Sequence, residues 1–233
     1  ASTTKLYVGA RNALQPTASS HASTMARRPS TYWFGLSILL LSLFGILLWF
    51  KVPNRIKAMR LSQQASEAHR TGQLNDAIHE INQALQLQPQ NGKLFVQRAE
   101  FFWEQADTEA ALQDLTQAIQ VEPNNPEWYF QRGNYRLHLG DFQGAIADYT
   151  DAIQRDNSYG AAYINRGSAR AERGDEAGAV EDYTAALNLV DDLDQQASTY
   201  LNRCLSLSNL GNQAAALADC TTAINLSPNS SLA

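Results

Sequence analysis

The sequence predicts an all-α protein in which one apolar helix precedes a solenoid of about five amphipathic helix pairs. Three observations lead to this prediction. Residues 32–50 are apolar and uncharged, the chain after them repeats with a period of 34 residues, and the charges divide between the two parts. Of the 18 Lys and Arg residues, eight precede Glu67, whereas all 23 Asp and Glu residues lie at Glu67 or beyond. Two physically different segments are therefore joined in one chain.

Residues 1–31 contain no acidic residue, are rich in Ser, Thr and Ala, and lack a strong apolar periodicity. Such a composition does not bury enough apolar surface to fold, so we predict a disordered tail. Two other origins stay open at this point. The stretch is also typical of the remnant of an organellar transit segment, and Met25 could be the true initiator, with the residues before it added artificially.

The apolar stretch at residues 32–50 has the length of a membrane-spanning helix. Its 19 residues extend over roughly 30 Å at about 1.5 Å per residue, which is the thickness of a hydrocarbon core. Aromatic residues stand at both edges, Tyr32 and Trp33 at one and Trp49 at the other, as is typical of membrane interfaces. A cleaved secretory signal is the alternative, but its apolar part is usually about 7 to 15 residues long, and no small-residue cleavage site follows Phe50. We therefore predict a single-pass transmembrane anchor.

The basic residues around this stretch predict its orientation. Arg27 and Arg28 precede it, whereas the predicted basic juxtamembrane linker, residues 51–57, and the positions just after it supply Lys51, Arg55, Lys57 and Arg60. Cytoplasmic flanks of membrane helices carry an excess of Lys and Arg. The repeats are therefore predicted to lie in the cytoplasm or in its stromal or organellar equivalent.

The rest of the chain repeats a motif of two amphipathic helices. Its five units are residues 58–91, 92–125, 126–159, 160–193 and 197–230, with a three-residue insertion before the fifth. In the third unit, Gly140 and Asp141 separate the two helices, because glycine is typical of helix ends and aspartate of helix starts. Apolar residues then recur at Ala145, Ile146 and Tyr149, which is the spacing of one helix face.

These units resemble the tetratricopeptide repeat. The similarity rests on the 34-residue period, on glycine at the turn and on paired alanines in each second helix. A small residue also recurs in each first helix: Ala65, Ala99, Gly133, Gly167 and Cys204. The resemblance implies a right-handed α-solenoid whose first helices line a concave groove, and it implies a protein-binding scaffold without catalytic activity.

Residues 231–233 match the opening of a sixth unit. A stacked array leaves the apolar face of its last helix open unless a polar cap covers it. We therefore expect a missing unit or cap, or a partner, at this end.

Charged residues recur in register across four units. Each of these units has an arginine in its first helix and an aspartate in its second, namely Arg98, Arg132, Arg166 and Arg203, and Asp114, Asp148, Asp182 and Asp219. We predict a ladder of structural ion pairs, and a ligand-binding row of arginines is the alternative. The spacing leaves open whether an arginine pairs with the aspartate of its own unit or with that of the preceding unit.

Composition argues against several classes of function. The repeats are acidic and the net charge is −5, so the phosphate backbone of a nucleic acid would be repelled. The four histidines and two cysteines lack ligand spacing, so we predict no metal site. Cys204 and Cys220 stand on the two helices of the fifth unit and could lie near one another, but we expect separate buried thiols in a reducing compartment. The sequence shows no nucleophile elbow, phosphate loop or catalytic carboxylate pair, so we predict neither enzymatic activity nor a cofactor.

The repeat register also predicts which residues face the groove. These candidate partner-binding residues combine apolar anchors with a row of amides: Val96, Gln97, Glu100, Trp103, Phe130, Gln131, Asn134, Leu137, Ile164, Asn165, Asn202 and Leu205. Amides can donate to and accept from a peptide backbone. Lys93 is the only lysine in the array, so a clamp for a carboxylate is not favoured. We expect a ligand with apolar side chains and neutral or basic flanks, bound as a helix or an extended segment.

The sequence therefore predicts a membrane-tethered adaptor that recruits a protein or peptide partner for the assembly of a membrane complex. One alternative is a permanent structural subunit of such a complex, in which another subunit, or the missing C-terminal segment, fills the groove. Single-pass proteins with such repeats are similar to assembly factors, including those for photosystem I, and to organelle import receptors. The residues do not select among these roles.

Overall fold

The computed structural model describes residues 52–227, and this part of the chain is a solenoid of ten α-helices. Helix α1 covers residues 52–70 of the described part. It is followed by α2 (Leu74–Leu87), α3 (Gly92–Glu104), α4 (Thr108–Val121), α5 (Pro126–His138), α6 (Phe142–Arg155), α7 (Gly160–Glu172), α8 (Glu176–Leu187), α9 (Leu193–Asn209) and α10 (Gln213–Leu226).

Three predicted segments fall outside the described residues: the tail at 1–31, the transmembrane helix at 32–50 and the opening of a sixth unit at 231–233. Within residues 52–227, none of the helices combines the length and the apolar character needed to cross a membrane. The structure therefore concerns the repeats alone.

The helices stack in the order of the chain. The two helices of each unit pack against each other, as α5 does against α6, and each second helix packs against the first helix of the next unit, as α6 does against α7. First helices also contact one another across units, α5 with α7 and α7 with α9. The prediction of an all-α repeat solenoid is confirmed for this part of the chain.

One segment differs from its prediction. Residues 52–57, predicted as a linker, are helical and continue into α1. The insertion at residues 194–196 lengthens a helix, since α9 begins at Leu193 and has 17 residues where α3, α5 and α7 have 13. The Asp192 side chain caps the added turn by accepting a 2.8 Å hydrogen bond from the Gln195 amide. Because the added residues extend α9 at its start, the positions after them keep the register of the other first helices.

The turn inside each unit contains one residue with a left-handed backbone, and in four of the five units a capping side chain follows it. Gly140 has φ of +75° between α5 and α6, and Ala106 takes the same place in the second unit with φ of +62°. Asp141 then accepts a 2.9 Å hydrogen bond from the Gly144 amide at the start of α6. The same cap recurs at Asp107, Asp175 and Asn212. The predicted boundary at Gly140 and Asp141 is confirmed.

The small residue in each first helix allows a large residue of the second helix to approach closely. A Cβ atom added at Gly133 would lie 2.7 Å from the Tyr149 ring, and one added at Gly167 would lie 2.8 Å from the Tyr183 ring. Because protein interiors are close-packed, a small residue in one helix requires a large one opposite it. The two residues of each pair are 16 positions apart in the sequence.

The fifth unit fills this place with a disulfide. Cys204 of α9 and Cys220 of α10 are bonded; they are 16 positions apart in the chain, and their Cα atoms are 5.6 Å apart. The prediction of two separate thiols was wrong. The physical reason is that both cysteines stand at the positions of the pair Gly133 and Tyr149, which the helix packing brings into direct contact.

Candidate functional site

The groove residues predicted from the register do not share one environment. Val96 is only 5 % exposed and belongs to the apolar core with Trp128 and Tyr129, so it is not available to a ligand. Its inclusion in the groove was wrong, because the side chain turns into the contact between the second and third units. Glu100 and Leu205 are exposed, and the other nine predicted residues are half-buried.

An aromatic stack lies at the centre of this face. The rings of Trp103 and Tyr135 are stacked, with centroids 4.1 Å apart and planes inclined by 21°. His138 approaches the same indole at 6.1 Å. Trp103 belongs to the second unit and Tyr135 to the third, so the stack crosses the contact between the two units. The repeat register did not predict Tyr135 as a groove residue, because it lies between the predicted groove positions Asn134 and Leu137 of α5.

Phe130 forms a second aromatic cluster with Tyr159 and Tyr149, at centroid distances of 4.8 Å and 5.8 Å. The Tyr159 hydroxyl donates a hydrogen bond to the Glu127 carboxylate, which also accepts one of 3.0 Å from the Gln131 amide. The half-buried Phe130 ring is therefore held in place and still presents an apolar edge.

Two amides of the row, Gln97 and Asn165, are engaged in contacts between units. Gln97 donates to the Ser62 carbonyl at 3.1 Å and to the Ser66 hydroxyl at 2.9 Å, both on α1. Asn165 donates to the Asn134 side-chain oxygen at 2.8 Å, and the Tyr149 hydroxyl donates to the same oxygen at 2.8 Å. The Gln97 oxygen also accepts a 2.7 Å hydrogen bond from the Ser62 hydroxyl, so Gln97 keeps one acceptor lone pair and no N–H donor for a ligand. Asn165 keeps one N–H donor and its side-chain oxygen.

Carboxylates surround the Trp103 stack. Glu100 has an exposed side chain, yet the protein on one side of its carboxyl excludes water and raises its pKa; His69 opposes this shift and Glu104 adds to it. The His69 ring lies 2.7 Å from the Glu104 carboxylate. Burial, followed by the charges of Glu100 and Glu104, raises the pKa of Tyr135 to about 12. The centre of the face is therefore both aromatic and negative.

The arginine and aspartate rows form the predicted ladder, and each arginine pairs with the aspartate of its own unit. The shortest contacts are 2.7 Å for Arg98 with Asp114, 2.7 Å for Arg132 with Asp148, 2.6 Å for Arg166 with Asp182 and 2.6 Å for Arg203 with Asp219. The four aspartates are buried. The ladder of structural ion pairs is confirmed, and its pairing is settled.

Each ladder arginine also reaches the preceding unit. Its Nη1 atom donates to a side-chain oxygen on the preceding second helix: Asn82 for Arg98, Thr116 for Arg132, Thr150 for Arg166 and Thr184 for Arg203. One arginine thus joins the second helices of two successive units. Because their hydrogen bonds are directed into the protein, these arginines are structural and do not form a ligand-binding row.

A family model described as "Tetratricopeptide repeat" matches residues 96–160 and again residues 130–198. No curated protein matches the sequence.

Solved structures provide a comparison of the fold. The MamA protein is 17% identical and has a TM-score of 0.65, with 74% of this chain and 92% of that one covered. YrrB, described as a TPR protein with an unusual peptide-binding site, is 17% identical at a TM-score of 0.61, with coverages of 74% and 87%. PilF of Pseudomonas aeruginosa is 16% identical at a TM-score of 0.63, with coverages of 74% and 78%. Residues 96–198 therefore match the model of the tetratricopeptide repeat, and residues 52–227 have the fold of these solved structures.

Proposed function

We propose that this chain is an adaptor that holds a peptide or protein partner against the concave face of its repeats. The observation that carries the proposal is the stack of Trp103 on Tyr135, a half-buried aromatic pair on whose tyrosine the charges of Glu100 and Glu104 act. YrrB, a neighbour in fold, is named for a peptide-binding site. A repeat scaffold without catalytic activity suits this role.

The chemistry of the face favours a ligand with apolar side chains next to a lysine or arginine. Phe130, Leu137 and Ile164 are half-buried apolar anchors along the middle units. Beside them, a cation placed over the Trp103 ring would gain both a cation–π contact and the attraction of Glu100 and Glu104. The same negative charge would repel an acidic segment.

The test is selection from a random peptide library on the immobilised full chain, kept in solution with a mild detergent. We expect enriched peptides to combine aliphatic or aromatic residues with Lys or Arg. Phe130→Ala with Leu137→Ala should weaken binding of a selected peptide at least tenfold, whereas Leu139→Ala with Leu189→Ala, two exposed leucines elsewhere, should leave it unchanged.

A charge variant separates the basic flank from the apolar anchors. Glu100→Gln with Glu104→Gln keeps the shape of the face and should weaken binding mainly at low salt, since exposed charges are screened at high salt. Selected peptides that are acidic, or binding that neither pair of substitutions changes, would refute the groove assignment.

The membrane tether is a separate part of the proposal. It rests on the uncharged apolar residues 32–50 and their aromatic edges. Under this proposal the chain stays in the membrane fraction until detergent is added, and an adaptor then migrates alone on size analysis. Stoichiometric migration with a large complex would instead favour a permanent structural subunit.

Two features give opposite indications of the compartment. The basic residues after the apolar stretch, including Lys51 and Arg55, favour repeats on the cytoplasmic side, which is the orientation we propose. The bond between Cys204 and Cys220 is of a kind that persists in oxidising compartments and opposes this orientation. Protease added outside intact cells should leave the repeats uncut if they are cytoplasmic; digestion would place them on the other side.

A further inference from the structure

The last helix exposes an apolar stripe. On α10, Leu217 is 71 % exposed and Ile224 is 53 % exposed. Thr221, also exposed, lies between them, and the spacing of four and three residues puts all three on one face of the helix. Because Leu217 is this exposed, its side chain contributes little to the packing of the described residues.

The same positions are covered in the other four units. The counterparts of Leu217 are half-buried, and three of the counterparts of Ile224 are buried at 8 to 9 % exposure. These are Ile78, Leu112, Ile146 and Val180 for Leu217, and Leu85, Ile119, Ile153 and the half-buried Leu187 for Ile224. In every case the cover is the first helix of the following unit, which packs on this face. The structure thus contains four occupied copies of a surface that no other described helix covers on α10.

The polar residue of the stripe, Thr221, occupies a position that accepts a hydrogen bond in the other four units. The counterparts of Thr221 are the ladder acceptors Asn82, Thr116, Thr150 and Thr184, each of which accepts a hydrogen bond from the arginine of the next unit. Thr221 donates its hydroxyl hydrogen to the Leu217 carbonyl at 2.7 Å, as Thr150 does to the Ile146 carbonyl at 2.7 Å. Within residues 52–227, the acceptor lone pairs of its oxygen therefore remain for a donor.

The opposite end of the array does not complement this stripe. The outer face of α1 carries Arg60, Gln64 and Glu67, which are exposed and polar, one turn after the exposed Ile56, and Gln64 stands where the other units have the ladder arginine. A second copy of the chain stacked head to tail would place these polar groups on Leu217 and Ile224. It would also bring no arginine to Thr221.

We propose that the stripe of Leu217, Thr221 and Ile224 docks an amphipathic helix of a partner protein. That helix carries an aromatic residue, an arginine three positions later and a small residue directly after the arginine. The pattern is read from the helices that occupy the equivalent faces: Phe95-Arg98-Ala99, Tyr129-Arg132-Gly133, Tyr163-Arg166-Gly167 and Tyr200-Arg203-Cys204. The arginine donates to the Thr221 hydroxyl, and the apolar side of the helix covers Leu217 and Ile224. This site is separate from the concave face.

The probe is a fluorescent peptide that copies residues 159–173 and is stapled into a helix on the side away from Tyr163 and Arg166. We expect saturable binding to the full chain in mild detergent. Leu217→Ser with Ile224→Ser should weaken it at least tenfold; both side chains are exposed, so circular dichroism should be unchanged. Thr222→Ala, next to the stripe, is the matched control and should have no effect.

A double-mutant cycle isolates the polar contact. Thr221→Ala in the chain and Arg166→Ala in the peptide should each weaken binding about tenfold, with little further loss when they are combined. Phe130→Ala with Leu137→Ala should leave the affinity for this peptide unchanged. This result would distinguish the stripe on α10 from the groove. Absence of saturable binding, binding that ignores Leu217 and Ile224, or a dimer of the chain that these two substitutions dissociate would each overturn the proposal.

Discussion

Arg132 and Asp148 form a two-pronged ion pair, with Nη2 to Oδ1 at 2.7 Å and Nε to Oδ2 at 3.0 Å. The Asp148 carboxylate also forms an ion pair with Arg136, at 2.8 Å. In the second unit the position of this second arginine is occupied by Phe102, so Asp114 has one arginine partner from its own unit. The ladder therefore has rungs with one arginine and rungs with two. This difference predicts unequal costs for equivalent substitutions.

We expect Arg98→Ala to lower the free energy of unfolding by about 3 kcal/mol, because buried Asp114 would lose its charged partner. Arg132→Ala should cost about 1 to 2 kcal/mol less, because Arg136 still pairs with Asp148. Urea unfolding of the full chain in mild detergent measures both. In double-mutant cycles Arg132 should couple to Asp148 and not to Asp114; equal coupling to the two would contradict the observed pairing.

Gly133→Ala should destabilise the protein by about 2 kcal/mol, because the new Cβ would lie 2.7 Å from the Tyr149 ring. Adding Tyr149→Leu should recover most of this loss, since the double variant reproduces the pair that the second unit already has in Ala99 and Leu115. Thermal unfolding of the single and double variants is the measurement. If the second substitution adds to the loss instead, the two side chains do not share one space.

Reduction of the disulfide should loosen the fifth unit. For a bond that closes a loop of about 16 residues, the loss is roughly 3 kcal/mol. Hydrogen exchange with and without reductant should show faster exchange in α9 and α10 and little change in α5 and α6. Cys204→Ala with Cys220→Leu, which copies Ala99 and Leu115, is the control and should not respond to reductant. Uniform protection under both conditions would show that the bond does not stabilise this unit.

The free energy of unfolding of the protein should decrease at alkaline pH. The pKa of Tyr135 is raised to about 12 in the folded state, whereas the unfolded value is about 10. Between these two values the unfolded chain releases the proton and the folded chain keeps it, so stability falls as pH rises from 10 towards 12. Ultraviolet titration of the chain against its Tyr135→Phe variant reports this group. Glu100→Gln with Glu104→Gln should lower the pKa; no change would mean that these carboxylates do not act on the ring.

Much of the architecture follows from the sequence by itself. The 34-residue period, Gly140 and Asp141 at the turn, and the recurring arginines and aspartates were sufficient to predict stacked helix pairs and an ion-pair ladder. These features are readable because they depend on local rules, namely helix ends, helix faces and register, which repeat identically from unit to unit.

The tertiary structure alone decided which side chains meet. It paired Arg132 with Asp148 of its own unit, bonded Cys204 to Cys220, and turned Val96 into the core although its register position predicted the groove. It also placed Tyr135 on Trp103. The physical reason is that periodicity specifies the face of a helix on which a residue lies, whereas contact depends on how far neighbouring helices rotate and approach, and close packing of many side chains sets that together.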